Sequence, residues 1–223
     1  MKKFFLLLTL FLLALLFASL GRWQWHRAQE KQHLIDQAYY TQVQSVSSAQ
    51  LQSGEVQLNY VPVVLKGRYL PERTFYLENQ FYKHRLGFHV LTPFKLETGG
   101  CLLVDRGWVP SLAQANKQLP TSSQQVQGLL KLPKRNPFIR APAEKMETSA
   151  TPILMQYELP WLAQHWGVKL MPFVLLLDAQ EAGGYEREWV VTVIPPARHQ
   201  AYAVQWFALA GLSIIMALIL YRL

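Results

Sequence analysis

The sequence predicts a membrane-anchored α+β protein in which two transmembrane helices flank a mainly antiparallel, barrel- or sandwich-like β domain outside the cytoplasm. Three observations predict it. A charge-free apolar run occupies residues 4–20, a second occupies residues 201–220, and the roughly 180 residues between them carry short strand-like segments punctuated by Gly and Pro. Runs of this length, at ~1.5 Å per residue, are enough to cross ~30 Å of hydrocarbon as a helix.

The first run holds nine Leu and four Phe, with only Thr9 and Ser19 as polar interruptions. Those thirteen contribute about −4 to −8 kcal/mol to insertion as an upper bound. Met1-Lys2-Lys3 followed by Ser19-Leu20-Gly21 would also suit a cleavable signal peptide. The run exceeds a usual signal h-region, however, and Gly21 leads directly into a helical amphipathic segment, so retention as an anchor is expected. Two spans put both termini on one side, and long loops translocate largely regardless of charge, which places the termini in the cytoplasm. No Arg- and Ser-rich transit peptide precedes the first span, so the expected site is a bacterial inner membrane with the loop domain in the periplasm. The expected division is residues 1–20 for the first span, 21–200 for the domain and 201–221 for the second span. Three-residue tails are not expected to carry the output domain of a two-span sensor.

Within the domain, residues 21–40 continue as a polar helix with Trp23, Arg27 and Lys31 at one-turn intervals. Residues 42–54 are rich in Gln and Ser and read as a loop. Eight strand candidates follow: 60–70, 74–77, 87–94, 101–104, 126–132, 153–157, 173–177 and 189–194. Residues 159–167 form the internal helix candidate. Pro195-Pro196 is expected to stop the last strand and set the angle of the second span.

Composition narrows the function. The net charge is +8, and with Lys2, Lys3 and Arg222 set aside the loop holds 19 basic against 14 acidic residues. Without a basic run, that balance suits a lipid bilayer surface or a carboxylate partner better than nucleic acid. The lone Cys101 excludes an internal disulfide and every multi-cysteine metal site, and in an apolar strand it reads as an inert thiol. No nucleophile elbow, zinc-protease helix, phosphate loop or dinucleotide fingerprint is present, so no enzyme is expected. Asp105, ahead of Arg106-Gly107, reads as a turn residue at a strand end with a local Arg partner. His84 and His89 straddle a turn and a strand and share no helical face, so no metal site is expected there.

The membrane borders are richer. Arg198, His199, Tyr202 and Trp206 enter the second span, and at about 100° per residue His199, Tyr202, Ala203 and Trp206 share one face. Trp23, Gln24, Arg27 and Lys31 leave the first. The plainer reading is a belt of aromatic residues, Trp25 and Trp206 among them, and cations meeting phosphates. It explains His199 less well, because histidine is a poor headgroup anchor and a good ligand to haem iron, with Arg27, Lys31 and Arg198 available for propionates. Ala203, Ala210 and Ala217, with Ser213, form a small-residue stripe on the same side, fitted to pack on the first span or on a client.

These residues resemble the surfeit locus protein 1 family. Leu20-Gly21-Arg22-Trp23-Gln24 with Arg27 and Lys31 looks like its first motif. Gly87-Phe88-His89-Val90-Leu91-Thr92-Pro93, followed by Leu103-Val104-Asp105-Arg106-Gly107-Trp108-Val109-Pro110, looks like its central one. His199, Tyr202-Ala203 and Gln205-Trp206-Phe207 look like its last. The resemblance implies an assembly factor for haem-copper cytochrome c oxidase rather than an enzyme. It also implies haem a as cofactor, with subunit I and the haem A synthesis machinery as partners. His199 becomes the candidate axial ligand to the metal, and Trp23, Arg27, Tyr202 and Trp206 become candidate pocket residues. The 105–110 segment is then structural, or a client contact. One protomer or a homo-oligomer could supply the ligands. The alternative is a cofactor-free scaffold that stabilises subunit I during assembly.

Overall fold

The computed structural model describes residues 1–54, 57, 59–139 and 153–222. In chain order the elements are α1 (Lys2–Tyr40), β1 (Gln44–Ser45), α2 (Ser48–Ser53), β2 (Pro62–Tyr69), β3 (Phe75–Tyr82), β4 (Arg85–Leu96), β5 (Cys101–Val109), β6 (Gln124–Lys131), β7 (Ile153–Leu154), α3 (Leu159–Trp166), β8 (Leu170–Leu177) and α4 (Pro196–Arg222). They form two compact units, one of Met1–Asp36 with Val190–Leu223 and one of Gln37–Trp189.

The second unit is a barrel. Strands β2, β6, β8, β5 and β4 pair in that order, and β4 pairs back onto β2 to close the ring. The β5–β8 pairing is parallel; the other four are antiparallel. Outside the ring, β1 extends β2 in parallel, β3 extends β4 antiparallel, and β7 caps β3 in parallel. Five strands make a narrow ring, and glycine is needed where they press together. At Gly67, which pairs with both Leu96 and Gln124, an added methyl would collide with the Lys95 carbonyl oxygen. A side chain there would push apart the pairing that closes the barrel.

Alternation along the strands fills two cores. Val63, Leu65, Phe94, Leu102, Val104, Phe173 and Leu175 belong to the cluster within the ring. Phe75, Leu77, Leu91, Leu103, Leu162 and Val174 form a second cluster, joined by Trp161 and Trp166 of α3. Strand β5 supplies both clusters, and all nine of its residues are buried.

Three departures from the sequence expectation have physical causes. Strand β5 continues to Val109 instead of stopping at Val104, because its charged residues are buried with partners rather than exposed at a turn. The Gln- and Ser-rich stretch contains β1 and α2, and α2 is started by a capping box in which Gln50 N–H donates to Ser47 Oγ (3.3 Å) and Ser47 N–H to Gln50 Oε1 (3.0 Å). Residues 189–194 form no strand. Trp189 is held through its side chain, the indole N–H donating to Leu177 O at 2.8 Å, rather than through a backbone ladder.

In the first unit, α1 (39 residues) and α4 (27 residues) are long and apolar enough to cross a membrane. Their facing residues recur every seven: Ala14, Gly21 and Ala28 on α1, Ala203 and Ala210 on α4, all buried, with Ser213 beside them. Phe17 stacks on Trp206, with ring centroids 5.7 Å apart at 25°. Gly21 lies against the Phe207 ring, 2.8 Å from where its Cβ would stand. The small-residue stripe therefore packs on the first helix, and small residues let the two backbones approach. Outward-facing Leu12, Leu16, Ile215 and Leu218 are exposed, as a lipid-facing surface requires. Overfilling this seam should open it. With cysteines placed at Phe17 and Trp206, Ala210→Leu is expected to lower the yield of a bismaleimide crosslink, overpacking costing about 1–3 kcal/mol. An undiminished yield would refute the packing.

Candidate functional site

One polar side-chain pair crosses the seam between α1 and α4 among the described residues. His199 Nδ1 lies 2.8 Å from Gln24 Oε1, both residues half-buried. A polar group in an apolar seam is costly unless paired, and each of these satisfies the other. With the amide oxygen facing the ring, Nδ1 is the donor, and in the neutral ring Nε2 then keeps its lone pair, with no hydrogen-bond partner among the described residues. This is the state in which imidazole binds a metal. A carbonyl-type acceptor on Nδ1 holds the ring in place and strengthens Nε2 as a donor. His199 could hold a metal ion through Nε2.

The other sequence-predicted residues divide between two surfaces. Trp206 joins His199 on the seam side, stacked on Phe17. Trp23 and Arg27 share a shallow groove of about 400 Å³ on α1 with Ser19, Arg22, His26 and Glu30. Arg27 Nη1 there donates to Glu30 Oε2 at 2.8 Å, an exposed pair that adds at most about 1 kcal/mol. Tyr202 is 45% exposed and does not share the buried side of Ala203. The expected common face of His199, Tyr202, Ala203 and Trp206 thus loses Tyr202. On an α-helix Tyr202 stands about 60° round from His199, enough to leave a narrow two-helix seam. Sequence reasoning placed Gln24 on a helix face but missed it as the histidine's partner.

A family model described as the SURF1 family matches residues 11–211. The chain belongs to the SURF1 family. Curated relatives are similar along the whole length. A SURF1-like protein of Rickettsia conorii (strain ATCC VR-613 / Malish 7) is 26% identical over 235 residues, covering all of this chain and 92% of the relative. One of Rickettsia prowazekii (strain Madrid E) is 26% identical over 237 residues, covering all of this chain and 90% of the relative. The SURF1-family match takes in both Gln24 and His199, and also the residues of a second polar cluster in the barrel.

That cluster centres on Asp105, which is fully buried in β5. Its Oδ2 is 2.8 Å from His89 Nδ1 and accepts from the Tyr157 hydroxyl at 2.9 Å, while Oδ1 accepts from Gly107 N–H at 3.1 Å. Burial pushes the carboxyl up, but His89, the Gly107 N–H and the Tyr157 hydroxyl together hold it below the ordinary carboxylate range. Burial and then the Asp105 charge raise the Tyr157 hydroxyl well above an ordinary phenol. Lys131 lies 5.0 Å from the Tyr157 ring centroid, its pKa lowered by burial against the opposing pull of Asp105.

The expectation of a turn aspartate with a local Arg partner is therefore corrected. Successive strand residues point to opposite faces, so Asp105 and Arg106 cannot pair. Arg106 instead donates from Nε to Gly183 O (2.8 Å) and from Nη2 to Lys117 O (2.9 Å), and lies over the Tyr185 ring at 5.0 Å. The sequence did carry a signal: His89 and Asp105 sit in the two halves of the central motif, which align when β4 and β5 pair.

The Asp105 carboxylate stabilises the fold at pH values above the ordinary carboxylate range, and that contribution is lost as pH falls through the depressed native value. Asp105→Asn in the full-length, detergent-solubilised protein is expected to cost about 1.5–3 kcal/mol near neutrality. The wild type's advantage in denaturant midpoint should shrink between about pH 5 and pH 3. An advantage that stays constant across that range would remove the ionised carboxylate from the account.

Proposed function

We propose that this SURF1-family protein is a non-enzymatic assembly factor for haem-copper cytochrome c oxidase, holding haem a through His199 and assisting its insertion into subunit I. The observation that carries the reading is the His199–Gln24 pair, which occupies Nδ1 and leaves Nε2 without a partner among the described residues. The family membership supports the wider role. The setting is a bacterial inner membrane, with the two apolar helices spanning it and the barrel in the periplasm.

Haem a, when bound, would be held by His199 through Nε2 and would offer its carboxylates to cations such as Arg27. Gln24 fixes the tautomer and orientation of the ring. Trp206, braced by Phe17, shields its side of the seam. Arg27 and Trp23, together in the α1 groove, offer a guanidinium and an indole face, and exchange of the exposed Arg27–Glu30 pair for a propionate costs little. Tyr202, exposed beside His199, adds a phenol at the same border. Haem delivered by its synthesis machinery would be handed on, so moderate rather than maximal affinity suits the task.

A second reading, a cofactor-free scaffold that steadies subunit I, is favoured by the division of Trp23 and Arg27 from His199 onto separate surfaces. One experiment separates the two. The protein is co-expressed with a haem A biosynthetic pathway, purified in mild detergent, and its absorption spectrum recorded. The haem reading expects Soret and α bands of haem a that disappear in His199→Ala. Gln24→Leu, which keeps the ligand and frees its ring, should weaken binding about 10–100-fold. A colourless wild type that still co-purifies with subunit I would establish the scaffold instead.

A further inference from the structure

The hairpin between β3 and β4 is built differently from the rest of the barrel. Lys83 and His84 form a two-residue loop with φ of 46° and 64°, joining the paired residues Tyr82 and Arg85. Positive φ at both positions is the geometry that favours Asn and Gly, so a lysine and a histidine sit here against local preference. Strain of this kind persists where what is displayed matters. The tip displays three basic side chains in succession. Immediately behind them, Phe81 and Leu86 pair directly across the hairpin and are 71% and 56% exposed. The opposite face is anchored: the Tyr82 ring lies 5.5 Å from Trp108, and the Arg85 guanidinium 5.0 Å from it.

Arg85 also borders a cleft of about 480 Å³ shared with Lys117, Arg187, Tyr185, Trp108 and Glu186. Arg187 donates from Nη2 to the Ala179 and Glu181 carbonyls, while its buried Nε and Nη1 have no partner among the described residues. Glu186 and Glu188 lie within electrostatic range of Lys83. Cations still outnumber acids across tip and cleft.

We propose that this hairpin and cleft form a docking surface for an anionic phospholipid bilayer. A Phe–Leu pair beneath a basic tip is the composition of an interfacial segment, its apolar side chains entering the acyl boundary and its cations meeting headgroup phosphates. Arg85, Lys117 and Arg187 line a recess in which one phosphate would meet several positive charges. The same chain carries two helices able to cross a bilayer, so a tethered membrane is presented at high effective concentration. This surface is independent of His199 and of whether haem is carried.

The test uses the full-length protein in nanodiscs of pure phosphatidylcholine or of phosphatidylcholine with phosphatidylglycerol. His84→Cys is labelled with an environment-sensitive fluorophore; the native Cys101 is buried, and unmutated protein measures its background. In anionic discs the emission should shift to the blue and resist aqueous iodide. Both effects should be lost in Phe81→Ser/Leu86→Ser and reversed by high salt. These substitutions fall on exposed positions, so an unchanged near-UV dichroism spectrum verifies that the fold survives. Equal iodide quenching in both disc types, or protection unaffected by the double substitution, would overturn the assignment.

Discussion

Strand β5 imposes the constraint on which the barrel depends, because a strand with no exposed residue must find partners for two faces and for every polar atom it carries. Neighbours β4 and β8 satisfy its backbone, one face completes the ring interior, and the other packs beneath α3. Two charged residues in the middle of such a strand are tolerable only with complete solutions. Asp105 is met by an imidazole, a phenol and a backbone N–H; Arg106 is met by carbonyls and an aromatic face. Removing one partner leaves a charge in a dry core, whose penalty exceeds the worth of the contact itself. The carboxylate thereby ties β4, β5 and the segment after β7 together.

The helical unit answers the same demand in another medium. Two helices apolar enough to cross a membrane would gain little hydrophobic energy from each other in lipid, where close packing of small residues and a matched polar pair would carry the association. Ala203 and Ala210 allow the approach, Phe17 against Trp206 fills the wider part, and Gln24 with His199 answers the remaining polarity. The resulting imidazole is held firmly yet keeps one nitrogen uncommitted.

Much of this architecture was legible in the chain. The apolar runs announced α1 and α4, seven of the eight strand segments have a counterpart, and the spacing of Ala203 and Ala210 marked the seam. The errors share one cause. Local reading treats charge as exposure, so Asp105 and Arg106 ended β5 early, and it treats β-branched residues as strand, so 189–194 was given a strand that it does not form. Ring closure, which decides barrel against sandwich, rests on the β2–β4 pairing, a contact between residues far apart in sequence. The His199–Gln24 pair spans 175 positions and is invisible to any window along the chain. Tyr202 was misplaced for a finer reason: a helical face about 100° wide is broader than the stripe that a single packed neighbour covers.

The heptad spacing of the seam has one further consequence. Small residues repeating every seven positions fit together nearly as well after a shift of one repeat, so packing alone leaves the two helices free to settle in several alignments. Gln24 and His199 remove that degeneracy. After a shift of one heptad, about 10 Å along the axis, each would face hydrocarbon with its polar atoms unanswered. The pair acts as a registration key, in the way a single buried asparagine selects alignment in a coiled coil. The same two side chains that answer each other's polarity thus also set how far one helix stands along the other.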